Sequence, residues 1–307
     1  MKPRKLLPLF IAVVALSLPA FGASSSAETQ AKKRDGIATE PGKTAGTRPN
    51  LPPIREFDLE MLSRLGREIY QHDQLAWVAT DKVFAQVSEA TIRAEGGCGW
   101  VVDTSGAEPL VRFVRRSGPG ASEEAAYDVL FPKGDKPVVA VPKDRTLTPH
   151  QVRVRAALAS ALAPFAKGEY PLCKVARGGY NFVVLDDPVE DGFLVYLLRP
   201  KDTMDSVPVG GHYRVSVSAD GKTVKQVDRL SASCLTLNKG AAKTPTDGKI
   251  VALSMNHVVS NTPVETHVFV SLQDKLPLFV VTPDGRLWNV ENGMITAAGN
   301  GMPPPKI

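Results

Sequence analysis

The stretch HYRVSVSADGKTVKQV, residues 212–227, decides the fold class. Apolar and polar residues alternate on both sides of Asp220-Gly221, a dipeptide that reverses the chain between two strands. The same turn chemistry returns in TPDGR, residues 282–286, again between two apolar runs. Gly221 and Gly285 adopt positive φ angles without strain, because they have no side chain. Strands joined by tight turns are antiparallel neighbours, so the C-terminal half predicts an antiparallel sheet.

The N-terminal half carries weaker strand signals of the same kind. GWVVDTSGAEPLVRFVRR, residues 99–116, has two apolar runs around a Ser-Gly turn and predicts a hairpin. The short run KPVVAVP, residues 136–142, is bounded by prolines, which cannot donate to a sheet from the interior. We therefore predict that it forms an edge strand.

Two main helices accompany these strands. Apolar residues recur at steps of three and four across residues 57–88, with His72 on the same face, which we interpret as a buried, hydrogen-bonded core histidine. A second helix begins at Thr148, where Thr-Pro-His-Gln matches a capping box, and is predicted to end near Pro164. The pattern as a whole predicts an α+β fold with antiparallel sheets, β-hairpins and two main helices.

Both ends of the chain differ from the middle in composition. Residues 1–22 combine a positive head, a short apolar run and small residues at a cleavage position, which is typical of a secretory signal peptide. Residues 23–53 are rich in Ser, Thr, Gly, Pro and Lys and predict a flexible linker. Residues 296–307 predict a disordered tail for the same reason.

Between these ends, residues 54–295 are predicted to form a single α+β domain, with a division into two lobes, 54–146 and 147–295, as the alternative. No stretch after the signal peptide has the roughly 20 apolar residues that a bilayer span needs. The mature protein is therefore expected to be soluble, without a transmembrane segment, in the periplasm or outside the cell.

The formal net charge of +5 does not mark a nucleic-acid-binding protein. Lys2, Arg4 and Lys5 belong to the signal peptide, and most other clustered basic residues lie in the predicted linker. A nucleic-acid interface usually shows a basic face with interleaved aromatic residues, and this pattern is missing from the sequence. We expect an envelope or extracellular ligand as the partner, and no nucleic acid.

The chain has three cysteines, Cys98, Cys173 and Cys234, and their spacing matches no paired CxxC metal motif. In an oxidising compartment one pair is expected to close a disulfide, since such bonds persist there. Cys173 and Cys234 flank the strand-rich half, and we predict that they pair and leave Cys98 free. Three free buried thiols are the alternative.

A group of polar residues in the C-terminal half is the candidate site. In VETHVFVSL, residues 264–272, the alternation predicts a strand with Glu265 and His267 together on its wetter face. His212 lies on the polar face of its own strand, and His257 is on a strand nearby.

Two histidines and a carboxylate are able to hold a catalytic metal, so His212, His257, Glu265 and His267 are the candidate catalytic residues of a metal-assisted hydrolase. The other interpretation is the ordinary polar face of a half-buried sheet. We favour it, and it predicts no metal and no cofactor.

The runs GGHYR, SADGKTV, SCLTL and ETHVFVSL, between residues 210 and 272, resemble a family of exported bacterial proteins without an assigned activity. The resemblance implies export and supplies no ligand or catalytic residue. No nucleophile elbow, Walker loop or dinucleotide fingerprint is found in the sequence. The sequence thus favours an exported, soluble, non-catalytic binding or interaction protein of the cell envelope. The alternatives are the hydrolase and an inhibitor or immunity-like protein with one disulfide.

Overall fold

A computed structural model describes residues 52–298, except residues 119, 177 and 241–249. The predicted signal peptide, nearly all of the predicted linker, and the predicted tail beyond residue 298 lie outside the described residues. Within them the fold is α+β with antiparallel sheets and hairpins, as predicted. The helices are α1 Leu59–Phe84, α2 Glu89–Ala94, α3 Pro149–Ala166 and α4 Glu265–Asp274.

Fourteen strands in the described residues form four sheets. The first sheet is the meander β1-β2-β3-β4 (Gly97–Asp103, Leu110–Arg116, Glu123–Leu130, Val138–Ala140). The second has the order β5-β6-β8-β9 (Asn181–Asp186, Gly192–Leu198, Tyr213–Ser218, Val224–Arg229). The third pairs β7 (Ser206–Pro208) with β10 (Thr236–Asn238), and the fourth has the order β11-β12-β13-β14 (Leu253–Asn256, Leu278–Val281, Leu287–Glu291, Met294–Ala297).

The turn and cap signals of the sequence are confirmed. Gly221 and Gly285 have φ angles of 74° and 80° at the β8–β9 and β12–β13 turns. The proline-bounded strand β4 lies at the edge of the first sheet. Thr148 and Gln151 form the expected capping box at the start of α3. The predicted end near Pro164 is confirmed, since the helix ends two residues later at Ala166; a proline this close to the end disturbs only the last turn.

The first predicted helix is confirmed in part, because residues 57–88 are divided between α1 and the following turn. α1 ends at Phe84, and Ser88 caps the short helix α2 through its hydroxyl, which accepts from the Thr91 N–H. His72 is buried on α1, as predicted, with its Nε2 3.5 Å from the Thr104 hydroxyl. At about 1.5 Å per residue, the 26 residues of α1 extend about 39 Å, long enough to pack on three of the sheets.

Four layers pack on one another: helix α3, the second sheet, helices α1 and α4, and the fourth sheet. The main core lies between the last three of these layers. Helix α3 covers one face of the second sheet, where it packs against sheet residues such as Phe193, Val215 and Val217. α1 and α4 cover its other face and pack in turn on the fourth sheet. Gly66 of α1 permits this arrangement, because a Cβ there would lie only 2.4 Å from Cβ of Val268 on α4. Both faces of the second sheet are therefore buried.

The prediction of a strand at residues 264–272 is wrong, because Glu265–Asp274 forms helix α4. β11 and β12 are parallel neighbours, and a parallel pair requires a crossover connection, which α4 supplies. The residues from Glu265 to Ser271 are all buried, so this part of the helix has no solvent-exposed face. Its polar residues therefore do not recur with the helical period of 3.6. The remaining alternation of valines with polar residues is then indistinguishable from that of a strand.

The predicted disulfide between Cys173 and Cys234 is present, with the two Cα atoms 5.8 Å apart. It joins the segment that precedes β5 to the segment that follows β9. Gly211 lies against it, at φ 91°, where a Cβ would come within 2.5 Å of the Cys173 sulfur. Cys98 is free and half-buried. Among the described residues, no helix is both long and apolar enough to cross a membrane.

Candidate functional site

The side-chain alternation predicted for β8 is correct, but the predicted wetness of one face is not. Tyr213, Val215 and Val217 point toward α3, and His212 and Arg214 point to the opposite face. That face lies beneath α1 and α4, so His212 is 1% exposed and Arg214 is fully buried. Glu265 and His267, expected on the same wet surface, are 0% and 1% exposed. The four candidate residues are therefore part of the core.

Arg214 is the centre of a buried ionic network. Its Nη1 donates to Oε1 of Glu265 over 2.7 Å, and its Nε and Nη2 donate to Oδ2 of Asp228 over 2.9 and 2.7 Å. The Tyr196 hydroxyl donates to the same Glu265 oxygen over 3.0 Å. An unpaired charge in such a place is strongly destabilising, so these groups depend on one another.

Electrostatics in the network keep the arginine charged. Burial acts to lower the pKa of Arg214, but Glu265, Tyr196 and Asp228 outweigh it and the pKa is raised overall. The pKa of Tyr196 is raised well above its ordinary value by burial and then by the Glu265 carboxylate. Tyr196 is therefore a neutral donor, which suits a role in holding Glu265 in place.

Both ring nitrogens of His212 are engaged by the backbone. Nδ1 accepts from the Arg199 N–H over 3.0 Å, so the neutral ring carries its proton on Nε2, which lies 2.8 Å from the Pro208 carbonyl oxygen. Burial lowers the pKa of His212 to about 4. The residue is a neutral bridge between two segments of backbone and offers no lone pair to a ligand.

His257 and His267 meet in the core. Their rings are perpendicular, with centroids 4.8 Å apart, so that the edge of one ring faces the plane of the other. His257 Nε2 lies 2.8 Å from the Ser260 hydroxyl, which donates to the Thr262 carbonyl oxygen. His267 Nδ1 accepts from the Val264 N–H at the start of α4.

Burial makes both of these histidines poor bases. Burial lowers the pKa of His257 to about 4. The pKa of His267 lies well below its ordinary value because of burial and then the proximity of His257 and His212. His267 Nε2 has no hydrogen-bond partner among the described residues.

The structure thus brings the four candidate residues into one region but not into one site. Glu265 turns toward Arg214, His212 toward the backbone, and only His257 and His267 touch. Within residues 52–298, excluding the gaps at 119, 177 and 241–249, no three His, Cys, Asp or Glu side chains are grouped so as to hold a metal ion. Sequence reasoning missed Arg214, Asp228 and Tyr196. The available signal for Arg214 was a charged residue inside an otherwise apolar strand. Its partners could not be predicted in the same way, because they lie on β9 and α4.

A second feature lies at the far end of α1, where aromatic residues line an apolar cleft between α1, α2 and the first sheet. Its volume is about 80 Å³. The rings of Trp100 and Phe113 lie 6.1 Å apart at their centroids. The apolar residues that line this apolar cleft include Phe84, Ile92, Trp100, Phe113, Val114 and Tyr127.

Charged residues surround the apolar cleft, and most of them are already paired. Tyr127 donates its hydroxyl to Glu95 over 2.9 Å, and its pKa is raised by burial and by that carboxylate. Arg93 pairs with Glu89 on α2, and Arg115 pairs with Glu124. The cleft is therefore apolar inside with a charge-balanced rim.

Comparisons of the chain with protein-family models, with curated proteins and with solved structures give no match.

The buried histidines predict a steep acid dependence of stability. His72, His212 and His257 have folded pKa values of about 4 and His267 lies lower still, whereas an unfolded histidine has about 6.5. The stability that these neutral histidines give the folded state is complete above pH 6.5. It is lost as the pH falls toward 4, because the unfolded chain then binds more protons than the folded one. Each site contributes a slope of up to about 1.4 kcal/mol per pH unit.

Urea unfolding of the protein between pH 7 and pH 4.5 measures this slope. His257→Phe keeps an aromatic ring in the core and should flatten the slope by about one proton. Phe269→Leu, in the same core, lowers stability without removing a titrating group and should leave the slope unchanged. A free energy of unfolding that stays constant from pH 7 to pH 5 would contradict the buried, neutral state of these residues.

Proposed function

We propose that the protein is an exported, soluble protein of the cell envelope that binds an envelope or extracellular ligand without transforming it chemically. The observation that carries the proposal is the apolar cleft, because aromatic-lined concave sites with a few polar groups at the rim are typical of binding surfaces. Trp100 and Tyr127 supply large, rigid surface for such a contact.

The size and charge of the apolar cleft limit the ligand. Its 80 Å³ is about half the volume of an engineered cavity of about 150 Å³ that holds benzene. Its rim is charge-balanced, so no strong preference for an anion or a cation follows. The group that fits is a small uncharged apolar one, such as the branched aliphatic side chain of a partner protein.

Export is supported by two independent features. The signal-peptide pattern of residues 1–22 is one. The disulfide between Cys173 and Cys234 is the other, since such bonds persist in oxidising compartments and are rare in the cytosol. An inhibitor or immunity-like protein is a special case of the same proposal, in which the ligand is an enzyme.

The metal-assisted hydrolase receives no support from the contacts of its candidate residues. A metal ligand needs a free lone pair directed at the ion, and both nitrogens of His212 are engaged by the backbone. Oε1 of Glu265 accepts from Arg214 and Tyr196 in a region closed to solvent. We therefore favour the binding protein as the function.

The apolar cleft is tested by NMR with a small apolar probe, N-acetyl-leucinamide. The indole N–H signal of Trp100 should shift with a millimolar dissociation constant, equivalent to about −4 kcal/mol, while those of Trp77 and Trp288 stay in place. Ile92→Glu places a charge in the cleft and should weaken binding at least about tenfold, or about 1.4 kcal/mol. Ala90→Glu, exposed on the same helix, is the matched control. An unmoved Trp100 signal would contradict the proposal.

Export is tested by expressing residues 1–307 in a bacterial host and measuring the mass of the product by mass spectrometry. We expect the protein in the periplasmic fraction with its N-terminus close to Ala23, because the small residues before that position form the cleavage signal. Its mass should be lower by two hydrogen atoms than that of the reduced chain, and one thiol should react after denaturation. Retention of Met1 in a cytosolic product would exclude export.

A further inference from the structure

Residues 54–57, Ile-Arg-Glu-Phe, form an extended strap that closes the Arg214 network from outside. The Arg55 N–H donates to Oδ1 of Asp228 over 3.3 Å, and Nη2 of Arg214 donates to the Arg55 carbonyl oxygen. The Arg55 guanidinium donates to the two carboxylate oxygens of Asp187 over 2.5 and 3.1 Å and lies 3.6 Å from Glu190. The strap is thus held through both its backbone and its side chains.

The aromatic residue of the strap has an equally defined place. The guanidinium carbons of Arg55 and Arg214 each lie 4.8 Å from the centre of the Phe57 ring. A cation over an aromatic face is attracted to it, more strongly where water is excluded. Ile54 and Phe57 also pack against the main core. The arginine and the aromatic ring two residues later are therefore recognised together.

The strap resembles a bound peptide more than an element of the fold. It has no regular secondary structure, and the groups that hold it come from β8, β9 and the β5–β6 turn. A gap of about 10 Å³ remains between the strap and the groove near Ser260 and Thr262. This space is about that of one water molecule, so the fit is incomplete.

The groove beneath the strap is acidic. Four carboxylates, those of Asp187, Glu190, Asp228 and Glu265, face it or lie directly behind it. Only two cations of the groove itself, Arg214 and Lys225, pair with them in the described residues. The Arg55 side chain supplies the positive charge that the groove lacks, and a segment without such a charge would leave Asp187 without its ion-pair partner, with only the backbone N–H groups of Val189 and Glu190 as donors.

We propose that this groove is a peptide-binding site for an extended partner segment in which an arginine is followed two residues later by an aromatic residue, and that the strap occupies the site when no partner is present. Main-chain hydrogen bonds and a pocket for alternate side chains are a common way to recognise extended peptides. Tethering gives the strap an effective concentration in the millimolar range, so a partner competes with it. The proposal uses contacts separate from those of the apolar cleft.

The experiment uses a fluorescein-labelled peptide with the sequence of residues 52–58, PPIREFD, and the mature chain from Ala23 to Ile307. Arg55→Ser with Phe57→Ser weakens the strap in its groove, and fluorescence anisotropy should show at least about tenfold tighter peptide binding than to the unsubstituted chain. Adding Asp187→Asn should abolish that gain, and a peptide with glutamate in place of its arginine should not bind. Arg64→Ser, on the exposed side of α1, is the control for loss of an arginine.

The result that would overturn the proposal is equal or weaker peptide binding by the strap variant. If the double substitution prevents cooperative unfolding, Arg55→Ser alone takes its place, because it keeps the packing of Phe57. Failure of both variants to bind the peptide more tightly than the unsubstituted chain would show that the strap is an inseparable part of the fold. Loss of binding to the apolar cleft would leave this result unaffected.

Discussion

The pairing of one buried guanidinium, that of Arg214, constrains the rest of the structure. Its partners lie 14 residues away at Asp228, 51 residues away at Glu265 and 159 residues away at Arg55. A charge in the core is tolerated only when it is paired with good geometry, so these segments have to arrive together. One side chain thereby fixes the positions of β9, the first turn of α4 and the strap.

The position of α4 has the largest consequences for the fold. Glu265 is the first residue of this helix, where a carboxylate also interacts favourably with the positive end of the helix dipole. Held there, α4 packs on α1 at Gly66 and connects the parallel strands β11 and β12. It also covers the polar face of β8 and brings His267 against His257. The buried histidines are thus a consequence of the same arrangement.

Local signals in the sequence predicted the parts of the fold that depend on local chemistry. The Asp-Gly turns and the Thr148 capping box were predicted correctly, because turn geometry and capping depend on residues that are neighbours in the chain. The Cys173–Cys234 pair joins residues 61 apart and was predicted from residue type and from the positions of the two cysteines around the strand-rich half. The alternation along β8 was correct as well. Its interpretation as a wet face was wrong, because exposure depends on what other elements cover, and α1 and α4 are far away in the chain. The strand predicted at Glu265 failed for a related reason, since burial on every side removes the helical period.

The Arg214–Glu265 pair holds the core together, and a double-mutant cycle tests this role most directly. Equilibrium unfolding in urea should show that Arg214→Met and Glu265→Gln each lower stability by about 3–5 kcal/mol, because each leaves a buried partner unpaired. The double variant should then be more stable than the sum of the single effects predicts, by at least about 1–2 kcal/mol. Strictly additive losses, or single losses below about 1 kcal/mol as for surface residues, would contradict the account.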